Sequence, residues 1–117
     1  MRVKTECFRL RAIIAAMERH GFVGRLKPEF RDAYIDAHNN ISPELVSRYH
    51  RAGVHRITLF LLDETLFMYI EVQNWKAAQA ALAKDPLDIA WQKLVGPMKD
   101  PDFREMQEIF RMELPSR

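Results

Sequence analysis

The spacing of apolar and polar positions changes period several times along the chain, and each change marks an element. Over residues 20–27, Phe22, Gly24 and Leu26 alternate with Val23 and Arg25, the period of two that predicts a strand. Gly24 in its middle weakens the strand unless another group approaches closely there. From Pro28, which suits a first helical turn, the period becomes three to four. Phe30, Tyr34 and His38, with Ala33, Ala37 and Ile41, then define one helical face. Ser42-Pro43 is an N-cap followed by proline at N1. It predicts a second helical segment over 43–52, with Leu45, Val46 and Tyr49 inward and Gly53 closing it. Residues 54–62 and 65–72, rich in Thr, Leu, Phe, Ile, Tyr and Val, read as two strands joined by a tight turn at Asp63-Glu64. An Ala-rich helix follows over 75–84. Another over 86–95 is started by Asp85-Pro86 and ended by Gly96-Pro97. Residues 99–102 read as loop. Residues 103–114 read as the last strand, with Met106, Glu108, Phe110 and Met112 on one face and Glu105 and Glu113 on the surface.

The order strand, helix, strand, strand, helix, strand is the split β-α-β pattern of a ferredoxin-like α+β domain with an antiparallel sheet, βαββαβ. Both faces of the third strand are apolar: Phe67 and Tyr69 on one side, Leu66, Met68 and Ile70 on the other. A sheet with one solvated face should alternate with polar residues. The helices can cover one face, so a second copy is the simplest cover for the other. This implies a homodimer packed sheet to sheet.

A length of 117 residues suits one domain. Residues 1–16 look unlike the rest. Arg2, Lys4, Arg9 and Arg11 face only Glu6, and the apolar run that follows is short for a secretory signal. They are expected to form an N-terminal extension to a domain spanning 17–117, with Met17 as a candidate natural start. The net charge of +2 is too balanced for a dedicated nucleic-acid binder, and 48% apolar residues excludes disorder. Apolar runs are of strand length, which gives no membrane span. The lone Cys7 cannot form an internal disulfide, and with no secretory signal that fits a reducing cytoplasm. The histidines, His20, His38, His50 and His55, have no metal-site spacing. There is neither a Gly-rich phosphate loop nor a GxSxG motif.

Four places could carry chemistry. Tyr34 and His38, at i and i+4, stack on one side of a helix, and histidine exchanges protons near neutrality. Spacing alone favours the alternative that both rings cover core. Trp91 can be a stacking platform for a sugar or simply core, and Trp75 reads as core edge. Glu108 shares a strand face with Met106, Phe110 and Met112, so its carboxylate is either poised for chemistry or paired, for instance with Arg25. His55 and Arg56 could reach a pocket mouth or be solvated; His20 and His50 read as surface.

The order and spacing of several short motifs resemble the L-rhamnose mutarotase family, which includes L-rhamnose and L-fucose mutarotase-like proteins. They are Gly21-Phe-Val with Leu26-Lys-Pro28, Tyr34-x-x-x-His38-Asn, Pro43-Glu-Leu45, Leu66-Phe-Met-Tyr-Ile-Glu71, Trp91 on its helix, and Met106-Gln-Glu-Ile-Phe110. The resemblance covers about residues 20–113. It implies a dimeric α+β barrel and cofactor-independent interconversion of the anomers of a 6-deoxy-L-hexose, with no metal. The family's histidine proton donor falls on His38, expected to protonate the ring oxygen while a second group removes the anomeric proton. Its sugar-binding tyrosine falls on Tyr34, and the first of its tryptophan pair on Trp91. Glu108 matches a recurrent glutamate of the last strand.

Three positions depart from the family pattern. Gln92 stands for the second tryptophan, Ser42 for a tryptophan before the proline, and Ile57 for a tyrosine early in the second strand. These losses bear on the substrate more than on the reaction. They leave room for a non-catalytic sugar- or metabolite-binding dimer. A cofactorless oxygenase is a third reading, by fold analogy alone.

Overall fold

A computed structural model of the chain describes residues 16–114, and within them the elements follow in the order read above. They are β1 (Glu18–Arg25), α1 (Arg31–Asn39), α2 (Pro43–Arg51), β2 (Val54–Leu62), β3 (Thr65–Val72), α3 (Trp75–Leu82), α4 (Pro86–Val95) and β4 (Arg104–Met106). Cys7 and nearly all of the expected N-terminal extension lie outside the described residues. The starts of α2, α3 and α4 are capped by side chains that satisfy free N–H groups of the first turn. Ser42 Oγ accepts from the Leu45 N–H (3.1 Å), Asn74 Oδ1 from Ala77 (2.9 Å), and Asp85 Oδ1 from Leu87 (2.9 Å). Gly53, at φ +97°, turns the chain from α2 into β2, where L side chains are strained. As expected, α4 ends at Val95 with Gly96 as its C-cap, and Gly96-Pro97 opens a 3-10 turn, Gly96–Met98, where proline is tolerated in the first turn.

The sheet is antiparallel with order β2-β3-β1-β4, a ferredoxin-like α+β arrangement. Register fixes which residues share a face. Ile70 lies opposite His20 and Ile57, Met68 opposite Phe22 and Leu59, and Leu66 opposite Gly24 and Leu61. This face meets the helices. Leu26, Tyr34, Leu66, Val95 and Met98 form one buried cluster, and Val54, Ile70, Val72 and Ala78 another. Gly24 belongs to the first region for a steric reason. A Cβ there would lie 2.3 Å from Cδ2 of Phe103, whose ring covers the glycine. Trp75 packs at the edge of the second cluster.

The opposite face carries Val23, Phe67 and Phe60 in one cross-strand row, with Tyr69, Leu62 and Met106 beside it. Phe60 and Leu62 are 59% and 67% exposed. The last strand is shorter than expected: only Arg104–Met106 joins the ladder, against β1. Alternation is a property of side chains, whereas a ladder needs a partner backbone, and residues 107–114 have none among the described residues. Ile109, Phe110, Met112 and Leu114 are 73–94% exposed. The segment is tied back by Arg19, whose Nη2 lies 3.0 Å from Glu113 Oε1. His20 is not a surface residue. It shares the helix-facing side with Phe22, half-buried between Glu18 (2.9 Å) and Glu105 (3.2 Å).

Candidate active site

Between α1, α2, α4 and the inner face of β2 and β3 the packing leaves a cavity of about 480 Å³, a size suited to a small molecule. Tyr34 and His38 enter it from α1, Tyr49 from α2, Trp91 and Gln92 from α4, and Lys99 from the turn that follows. Leu59 and Met68 form the apolar floor on the sheet.

The helix that carries His38 also sets its protonation. His38 Nδ1 lies 2.7 Å from the backbone carbonyl oxygen of Tyr34. A carbonyl only accepts, so Nδ1 carries the proton, and Nε2 of the neutral ring keeps a free lone pair. The ring is packed against Tyr34 (centroids 4.3 Å apart, 42°) and meets Trp91 nearly edge-on (4.9 Å, 78°). Burial pulls its pKa below the ordinary 6.5, and the nearby Lys99 charge adds to this, against the opposing bond to Tyr34. His38 is therefore a neutral acceptor at neutral pH. Burial pushes the Tyr34 phenol up to about 12, so it stays a donor.

A second group of polar residues lies on the far side. The Tyr49 hydroxyl donates to Asp88 Oδ1, and Gln92 Nε2 lies 3.4 Å from the same oxygen and 3.5 Å from the Tyr49 hydroxyl. Asp88 is only 7% exposed. Burial first, and the Asp88 carboxylate second, push the Tyr49 pKa up. Lys99 completes the lining. Its ammonium sits 5.0 Å from the centroid of the Phe103 ring, and burial pulls its pKa below the ordinary 10.5.

Of the residues singled out from the sequence, Tyr34, His38, Trp91 and Gln92 line one cavity. Glu108 does not. It lies past β4, half-exposed, with its carboxylate 3.9 Å from Arg111. The ladder ends at Met106, and alternation onward from Met106 points Glu108 away from the helices. Arg25 pairs instead with Glu64 and Asp100. His55 and Arg56 do reach the lining, as does His50, which is exposed to solvent at the same time. Among the three departures, Ile57 and Gln92 line the cavity, whereas Ser42 is occupied as the α2 cap. Sequence reasoning missed Asp88 and Lys99 and read Tyr49 only as inward-facing. Asp88 and Tyr49 are 39 positions apart, and no local pattern joins them. Lys99 sits in what reads as loop. The one available signal was its place directly after a Gly-Pro helix end.

A family model described as L-rhamnose mutarotase matches residues 19–112. The L-rhamnose mutarotase of Oceanobacillus iheyensis is 30% identical over 105 residues, covering 83% of this chain and 100% of that protein. The crystal structure of an L-rhamnose mutarotase from Formosa agariphila superposes with a TM-score of 0.68 at 25% identity, covering 82% of this chain and 99% of that one. A dimeric ferredoxin-like protein from an uncultured marine organism shares the fold, with a TM-score of 0.57 at 12% identity, covering 83% and 94% of the two chains.

Proposed function

The chain belongs to the L-rhamnose mutarotase family, and on that premise we propose that it interconverts the α and β anomers of an aldopyranose without a cofactor. The sugar is a 6-deoxy-L-hexose such as L-rhamnose or L-fucose, or a pyranose of the same shape. The working form is a cytoplasmic homodimer joined through the open sheet face. The observation that carries the reading is the bond from His38 Nδ1 to the Tyr34 carbonyl, which leaves Nε2 free inside the cavity.

In this mechanism Nε2 takes the proton of the anomeric hydroxyl as the bond from C1 to the ring oxygen breaks, and the ring oxygen takes a proton from a second donor. An open-chain aldehyde results. Rotation about C1–C2 presents the other face, and ring closure returns both protons to their sources. His38 thus starts as base and ends as acid. Its neutral resting state favours this order over one in which it first protonates the ring oxygen. Proton transfer of this kind is worth roughly 10²–10⁴ in rate. The Tyr34 phenol, protonated up to about pH 12, orients the sugar by donating to it. Trp91 stacks on the sugar's C–H face, and Gln92, held by Asp88 and Tyr49, takes the place of a second aromatic wall.

Saturation-transfer NMR at the anomeric protons tests this. Exchange in L-rhamnose or L-fucose should be faster with the wild type than with His38→Ala. Ligand-induced thermal shifts with no exchange would identify a binding protein instead.

A further inference from the structure

Among the described residues, the lining side chains of acidic or basic type, the phenols apart, are all basic, namely His38, His50, His55, Arg56 and Lys99, and no carboxylate is among them. The buried carboxylate of Asp88 is already engaged by the Tyr49 hydroxyl and Gln92. Asp100, next in sequence to Lys99, is turned to Arg25 at 3.7 Å. None of the ion pairs among the described residues includes Lys99 or Arg56. A lysine normally extends its ammonium into water. The backbone that carries Lys99 is held from both sides. Lys99 pairs with Leu26 across a β-bridge, its N–H donates to the Gly96 carbonyl (3.2 Å), and Lys27 N–H donates to the Met98 carbonyl (2.9 Å). Its ammonium is half-buried over Phe103, and its charge is felt at His38. A partly desolvated cation without an anion is costly, and a ligand that brings the anion recovers that cost.

We propose that, beside the neutral 6-deoxy sugars, the cavity takes a pyranose whose C5 substituent carries an anionic group, with Lys99 as its counter-charge. Lys99 lines the same cavity as His38, which serves the hydroxyl on C1, and the exocyclic C5 substituent is where common pyranoses carry an anionic group. In a 6-deoxy sugar that substituent is a methyl group, which leaves Lys99 unpaired. In a hexuronate it is a carboxylate, and in a hexose 6-phosphate it carries a phosphate whose phosphorus lies two bonds beyond C6. The inference rests on the mutarotase reading for the orientation of the ring, but the charge of the cavity is independent of it.

The test combines anomer-exchange NMR with calorimetric binding on the full chain. The probes are D-galacturonate, D-glucuronate, L-guluronate, D-glucose 6-phosphate, L-rhamnose, L-fucose and the methyl ester of D-galacturonate. At least one anionic sugar should exceed the neutral ones in kcat/KM. The ratio of anionic to neutral kcat/KM should fall by about 10- to 100-fold in Lys99→Gln and Lys99→Met, the loss of one charged hydrogen bond, and recover in Lys99→Arg. Preference for 6-phosphate over the uronates would place the anion at the longer reach. If neutral sugars exchange as fast as anionic ones and the ratio ignores Lys99, the proposal is wrong while the mutarotase reading stands. If anionic sugars bind in a Lys99-dependent way without anomer exchange, the anion site stands and the mutarotase reading falls.

Discussion

The two faces of the sheet are both apolar, yet they are finished in opposite ways. On one, Leu66, Ile70 and Val72 are sealed under capped helices. On the other, Phe60 and Leu62 stay open and the chain runs on past β4 with Phe110 and Met112 in solvent. The polar groups differ as well. On the covered side His38 is fixed by a backbone carbonyl, and Gln92 by Tyr49 and Asp88. On the open side Arg19, Glu108, Arg111 and Glu113 pair among themselves. Apolar area says that a surface must be covered. The candidate site sits where the chain's own covering is incomplete and His38 and Gln92 are individually held.

The largest effects should separate the faces by stability. Ile70→Ala should cost about 2–5 kcal/mol in urea unfolding, because it leaves a cavity among buried neighbours. Phe60→Ala, at a position 59% exposed, should stay within about 1 kcal/mol at low protein concentration. The wild type should sediment as a dimer, and Phe60→Asp with Leu62→Asp as a folded monomer. Equal losses from the two alanine changes would erase the contrast.

A smaller effect probes how the site is walled. Gly24→Ala should cost about 1–3 kcal/mol, since the new methyl meets the Phe103 ring. Adding Phe103→Ala should return part of that loss, which a thermodynamic cycle reads directly. Additive losses would mean that the two residues do not share the space.

The smallest effect is in pH. Burial, reinforced by Lys99, holds the His38 pKa below 6.5, so the neutral base persists below the range of an ordinary histidine. The folded pKa is depressed, so the stability linked to it is present above 6.5 and lost as pH falls through the folded value. Accordingly kcat/KM should keep more than half of its plateau value at pH 6.5, and the midpoint of its decline should lie below 6.5. Lys99→Met should move the decline to higher pH. A decline already complete at 6.5 would contradict the assignment.

Much of this was legible in the sequence because it is local. Caps at Ser42 and Asp85, the i, i+4 pair of Tyr34 and His38, and the alternation in β3 need no tertiary information. Gly24 could be flagged as a close approach, though not the ring that makes it. What failed is non-local. The last strand was read from alternation that continues past its partner edge, and Glu108 was carried into the site with it. Asp88 is an acidic residue of a first helical turn, and its role depends on Tyr49 from another helix. Lys99 became visible only when the turn after α4 was seen to run under the cavity.

The central claim is that His38 exchanges protons with a sugar in this cavity. Its most direct test is saturation transfer between the anomeric protons, with wild type and His38→Ala at matched concentration and pH 7, across the neutral and anionic sugars named above. The account predicts enzyme-dependent exchange with the wild type for at least one sugar, reduced at least 100-fold in His38→Ala, while the thermal unfolding of the two proteins agrees within a few degrees. Equal exchange by the two proteins, or none above the uncatalysed rate by either, would contradict it.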